Sequence, residues 1–199
     1  AVSKVLVPGN ISYVKWDMNR HLTDLGSAYL DRKNQNELSH RYVLGLYQVM
    51  ETLTERFPQV LFESCSSGGG RFDAGMLYYM PQTWTSDNTD AVCRLKIQHG
   101  TSFLFPTVTM GAHVSACPNH QVGRTTPLAT RFAVAAAGNL GYELDLKKLL
   151  KEEKKEVREQ IAEYKRRRRT VQFGTYYRLA DSFQENQSAW NIVSEDGME

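Results

Sequence analysis

A chain of 199 residues with a hydrophobic fraction of 41% and an aromatic fraction of 11% can bury one core of good size, as one domain or slightly more. Its formal net charge of +2 supplies no general attraction to nucleic acid or to an anionic membrane, and no apolar stretch reaches the length of a membrane span. Cys65, Cys93 and Cys117 are odd in number and form no CxxC pair, which argues against a secreted disulfide scaffold and fits a reducing compartment.

The opening AVSKVLVPGN has no initiator Met and is expected to enter a strand almost at once, as a cut inside a longer protein would. Residues 11–15 read as that strand, followed by a turn through NRHLTDLGS. Helical spacing then runs from Asn36 to Phe57, with Leu38, Tyr42, Leu46, Val49, Met50 and Leu53 on one stripe and Pro58 as the stop. A short strand, Val60 to Glu63, empties into the glycine-rich loop SCSSGGGRFD. Residues 81–86 form a weaker strand candidate. Asn88 to Gly100 reads as a helix with Val92, Leu95 and Ile97 inward. Phe103 to Met110 is an apolar strand, and GAHVSACPNHQVG a loop after it. An alanine-rich helix from Pro127 to Ala137, a strand from Asn139 to Leu144 and a charged helix from Asp145 to Arg169 complete the series. From Thr170 the chain alternates aromatic and polar residues, as the start of a β-segment would.

Strands alternating with helices predict a parallel α/β architecture, with the polar clusters gathered at the carboxyl ends of the strands. About five strands can be counted, too few to close an eight-stranded barrel. The expected organisation is therefore a partial barrel over residues 1–169 and a tail, 170–199, leading into a β-domain.

The chemistry concentrates after the strands. SYVKWDMNRHL delivers Lys15, Trp16, Asp17, Asn19 and Arg20 in quick succession, a mixture suited to a sugar: apolar surface for ring carbons, polar groups for hydroxyls, a carboxylate for an electron-poor carbon. It also suits a strand end capped by a solvated turn. Asp87 follows the third strand candidate. Two such carboxylates facing each other near 5 Å would serve double displacement at an anomeric centre. Asp87 equally suits a helix N-cap, although Asp90 is better placed for one. SCSSGGGRFD lacks the GK[ST] of a phosphate loop, and its glycines allow close backbone approach by Gly68, Gly69 and Cys65 to sugar hydroxyls, or simply a flexible turn. Nothing places a histidine beside Cys65 to make it a nucleophile. His113, Cys117 and His120 have no standard zinc spacing, so no metal and no cofactor is expected. The run Lys165–Arg169 ends a helix rich in glutamates at i, i+4 spacing and reads as a solvated face rather than a nucleic-acid platform.

VKWDMNR, ESCSSGGGRFDAGMLYYMPQTWTSDNTDAVCRLKIQHGTS, GAHVSACPNHQ and GNLGYELDL, in that order, resemble the second half of bacterial α-galactosidases of glycoside hydrolase family 36. The resemblance covers nearly the whole chain. It implies a partial (β/α)8 TIM barrel, roughly strands 4 to 8 with their helices, plus the start of a C-terminal β-segment. It also implies a retaining enzyme acting on terminal α-galactosyl groups of oligosaccharides such as melibiose and raffinose. Matched by motif, Asp17 would be the nucleophile and Asp87 the general acid/base. Lys15, Asn19, Cys65, Gly68 and Trp84 would contact or lie near the galactose. The family's tryptophan and acidic pair that grip the 4- and 6-hydroxyls come from earlier strands, and no such stretch is present. The resemblance therefore implies an α-galactosidase parent, cytoplasmic and homo-oligomeric, and an isolated chain that is inactive or nearly so. Neighbouring expectations are an α-galactosyl or α-N-acetylgalactosaminyl transferase or hydrolase of the same family, or a non-catalytic sugar-binding fragment.

Overall fold

The computed structural model describes residues 1–20 and 22–198, so His21, inside the expected turn, lies outside the described residues. The chain divides into two compact units, Ala1–Pro81 and Gln82–Glu199.

The first unit opens with a short helix, α1 (Val2–Leu6), where a strand was expected. Leu6 is buried and joins the unit's core, so the apolar side chains of VSKVL serve one helical turn. Strand β1 (Tyr13–Asp17) starts two residues later than predicted. A 3-10 turn (Arg32–Glu37) leads into α2 (Leu38–Arg56). The predicted stripe is only partly buried: Met50 and Leu53 face the core, while Tyr42 and Val49 are exposed. Strand β2 (Leu61–Cys65) pairs in parallel with β1, so that Lys15 lies beside Glu63 and Asp17 beside Cys65. Helix α3 (Ala74–Tyr79), absent from the sequence-based reading, is capped by Asp73, whose side chain accepts from the Met76 amide at 2.8 Å. Met50, Leu53, Phe57, Val60, Phe62, Met76 and Met80 fill the core with Leu6.

The second unit holds β3 (Gln82–Trp84), α4 (Ala91–Thr101), β4 (Met110–Ser115), α5 (Leu128–Ala135), β5 (Asn139–Glu143) and α6 (Lys151–Phe173). β3 pairs in parallel with β4, and β4 with β5. The strand expected at Phe103–Met110 is displaced. Phe103 and Leu104 are exposed, Pro106 breaks the run, a 3-10 turn spans Thr107–Thr109, and β4 occupies the start of the predicted loop. Buried Met110, Gly111, Ala112, Val114 and Ser115 make this a strand covered on both faces, which carries no alternation to read. The inward face of α4 also differs from expectation: Val92 is exposed, and Ala91, Arg94, Gln98 and His99 are buried. Its N-cap is Asp90, which accepts from the Cys93 amide at 2.9 Å; Asp87 does not cap it. Helix α6 starts six residues later than predicted and continues to Phe173. Glu163 pairs with Arg166 and, at 2.8 Å, with Arg167, so part of the basic run is neutralised along the helix. Two antiparallel strands, β6 (Thr175–Ala180) and β7 (Ala189–Val193), follow. Ala112, Val114, Leu128, Ala135 and Val157 form this unit's core cluster.

Strands followed by helices, paired in parallel within each unit, are the repeat of a partial (β/α)8 barrel, with a two-stranded antiparallel sheet at the end. Among the described residues no helix is long and apolar enough to cross a membrane.

Candidate active site

In the first unit the parallel pairing of β1 and β2 puts their carboxyl ends together, and five of the predicted residues gather there. Asp17 closes β1, exposed, with Asn19 Nδ2 donating to its Oδ2 at 3.0 Å and the Cys65 thiol donating across the strand pair. Burial pushes the Asp17 carboxyl up. The hydrogen bonds from Cys65 and Asn19, the Lys15 charge and the Met18 amide outweigh it, and the net pKa lies below the ordinary aspartate value. Cys65 is buried, and burial and the neighbouring carboxylate push its thiol up against the opposing Gly68 hydrogen bond and Lys15 charge. It is therefore a protonated donor at neutral pH, not a thiolate nucleophile.

The glycine-rich loop is tied to β1 by its own polar groups. Ser66 Oγ donates to Met18 O at 2.7 Å and the Ser67 amide donates to Asn19 Oδ1 at 2.9 Å. The Ser66 amide donates to Gly68 O at 2.9 Å, with Gly68 at φ 86°, a conformation that favours glycine. Arg71 Nη2 reaches Cys65 O at 2.7 Å and Trp16 O at 3.1 Å. Lys15 is held by Glu63, which is 1% exposed, with Nζ–Oε1 3.8 Å; Tyr13 OH donates to the same carboxylate. Glu63 and Arg71 carried no signal in the sequence, because their partners are brought alongside only by strand register and loop closure.

In the second unit the two remaining predicted residues meet at the end of β3. Trp84 is buried, and its Nε1 donates to Asp87 Oδ1 at 3.1 Å, while Asp87 itself is exposed. The Trp84 ring lies 4.4 Å from the His113 ring and 4.2 Å from the Arg94 guanidinium. His113 Nδ1 sits 3.1 Å from Glu143 Oε2, across the β4–β5 pair. Beyond Asp87 the loop is pinned by its neighbours. The Thr89 amide donates to Gln121 Oε1 at 3.0 Å, Asn119 Nδ2 to Thr89 Oγ1 at 3.0 Å, and Asp90 pairs with Arg124. Among the described residues no group of three or more His, Cys, Asp or Glu side chains is arranged to hold a metal ion. A hollow of about 360 Å³ lined by residues such as Arg166, Phe173 and Asp196 contains none of the predicted site residues.

One carboxylate thus sits beside a lysine, an amide and a thiol at the β1 and β2 ends of the first unit, and another accepts from a tryptophan after β3 in the second. The sequence pattern of the melibiase family matches residues 1–174. The chain belongs to the melibiase family. Within that family it is 62% identical over 198 residues to α-galactosidase AgaA of Geobacillus stearothermophilus, covering 100% of this chain and 27% of AgaA. It is 54% identical over 190 residues to α-galactosidase Mel36A of Lactobacillus acidophilus, covering 96% of this chain and 26% of that protein. The crystal structure of AgaA, a glycoside hydrolase family 36 enzyme, superimposes with a TM-score of 0.96 over 98% of this chain and 27% of its own. Variants of AgaA have been solved in complex with raffinose and with stachyose. The chain thus spans about a quarter of the length of the relatives it matches.

Proposed function

We propose that the chain is part of a retaining exo-α-galactosidase that removes terminal α-D-galactosyl groups from oligosaccharides of the melibiose and raffinose type. Asp17 attacks the anomeric carbon while Asp87 protonates the departing glycosidic oxygen; Asp87 then takes a proton from water, which releases galactose. The observation that carries this reading is the setting of Asp17, a carboxylate whose pKa a thiol, an amide and an ammonium lower at a strand's carboxyl end. Lys15, Asn19 and Gly68 have polar groups at the same strand ends for sugar hydroxyls. Cys65 supports Asp17, and Trp84 orients Asp87 by its indole N–H. Further support comes from the AgaA variants in the raffinose and stachyose complexes. Each replaces an aspartate, and the two positions lie the same interval apart along that enzyme as Asp17 and Asp87 do here.

The chain by itself is inactive or nearly so on this reading, because a galactose pocket needs walls on every side of the ring and this chain covers a quarter of its relatives. The test is azide rescue in the full-length enzyme. With Asp17→Gly, azide should attack the substrate directly and give β-galactosyl azide. With Asp87→Ala, azide should capture the galactosyl-enzyme and give α-galactosyl azide. The same anomer from both variants, or rescue of neither, would sink the assignment.

A further inference from the structure

We propose that Arg94 is a positioning residue that fixes the aim of Asp87, by holding residues 85–88 in one shape from beneath. The proposal rests on the acid/base reading of Asp87 given above.

Arg94 is 2% exposed and ends the first turn of α4, where packing alone would ask for an aliphatic side chain. Burying a guanidinium is costly unless its donors are satisfied, and here they converge on one short segment. Nε donates to Asn88 O at 2.8 Å, and Nη2 to Ser86 O at 2.5 Å. Nη1 donates to Thr85 Oγ1 at 2.5 Å and to Gly111 O at 3.4 Å. The acceptors thus bracket Asp87 in sequence, at Ser86 on one side and Asn88 on the other. The same cation stacks on Trp84, whose indole donates to the Asp87 carboxylate. One side chain therefore grips the backbone on both sides of the carboxylate and backs the ring that orients it. A planar fork can make these contacts together, whereas a lysine ammonium cannot. The downstream end of the loop is anchored independently, by Asn119 and Gln121 on Thr89 and by Arg124 on Asp90. Losing Arg94 should accordingly loosen residues 85–88 and leave α4 in place.

The test uses the full-length enzyme with Arg94→Lys and Arg94→Met, and Asp87→Ala in parallel. Activity is measured on raffinose, whose leaving group needs a proton, and on p-nitrophenyl α-galactoside, whose leaving group needs little help. If Arg94 aims the acid, both Arg94 variants lose roughly 10²-fold or more in kcat/KM on raffinose and far less on the aryl substrate. Their alkaline pH limb departs from that of the parent, and azide accelerates them with α-galactosyl azide as product. The ratio of the two kcat/KM values does not depend on how much protein is folded, so it decides the matter even for a poorly folding variant. Equal losses on both substrates without azide rescue, while Asp87→Ala is rescued, would make Arg94 a structural strut and overturn the proposal. An Asp87→Ala enzyme with no leaving-group dependence and no azide response would instead remove the acid/base reading, and this proposal with it.

Discussion

Asp17 owes its lowered pKa to groups that sequence proximity only partly supplies. Lys15 and Asn19 are two positions away, but the thiol of Cys65 arrives from the neighbouring strand. In the nucleophilic role proposed for it, Asp17 must be ionised, so activity persists down to its folded pKa, and any change that raises that pKa moves the acidic limb to higher pH. Cys65→Ala removes the leading pKa-lowering contact. The acidic limb of kcat/KM in the full-length enzyme should therefore move to higher pH, and Cys65→Ser, which keeps a donor, should restore it. An unmoved limb in the alanine variant would show that the thiol does not tune Asp17. Glu63 acts on the other polar group of the pair. Glu63→Gln keeps an acceptor for Tyr13 and removes the charge beside Lys15. A partly exposed ion pair contributes up to about 1 kcal/mol, so KM for raffinose should rise by up to about fivefold with kcat little changed.

Among the elements, α4 shows why a helix can be located without its role being read. Its span was close to expectation, but a buried face of Arg94, Gln98 and His99 carries no hydrophobic period. Its start is held by Asp90, which caps the Cys93 amide and pairs with Arg124. Asp90→Ala should cost about 1–2 kcal/mol from the cap alone, and Asp90→Asn less, because the amide still caps the helix. Urea denaturation followed by circular dichroism measures both, and equal midpoints for the parent and the alanine variant would refute the capping role. The misplaced fourth strand has the opposite cause. Phe103 and Leu104 advertise a strand and are exposed, whereas MGAHVS, with a glycine and a histidine, is the strand. Apolar composition predicts burial only where the backbone can pair, and Pro106 with the 3-10 turn after it delays pairing until Met110.

At the scale of the molecule, each compact unit has its own core, Met50, Phe62 and Met80 in the first and Ala112, Val114 and Val157 in the second. Outside those cores many large apolar side chains face solvent: Tyr29 is 93% exposed, Leu104 81% and Tyr78 80%. Tyr29 lines one open hollow with Leu30, Leu38, Tyr42 and Leu44, and a contiguous apolar patch of this kind drives association. Residues 1–199 expressed alone should therefore self-associate, which light scattering would detect as a mass above 22.7 kDa. The same preparation should give no measurable turnover of p-nitrophenyl α-galactoside. Turnover near that of a full-length relative would overturn the inactivity proposal.

The residue order alone determined the alternation of strand and helix, the clustering of polar residues after strands, and, through four motifs, the family. These are local properties, carried by short-range periodicity and by residues within one stretch. Only the tertiary structure decided that Glu63 faces Lys15, that the Cys65 thiol donates to Asp17, and that a buried Arg94 grips both sides of Asp87. Those pairings join residues whose contact depends on strand register and on a helix packed behind a loop. A polar side chain in isolation does not reveal whether folding will leave it in water or place it, paired, in the interior.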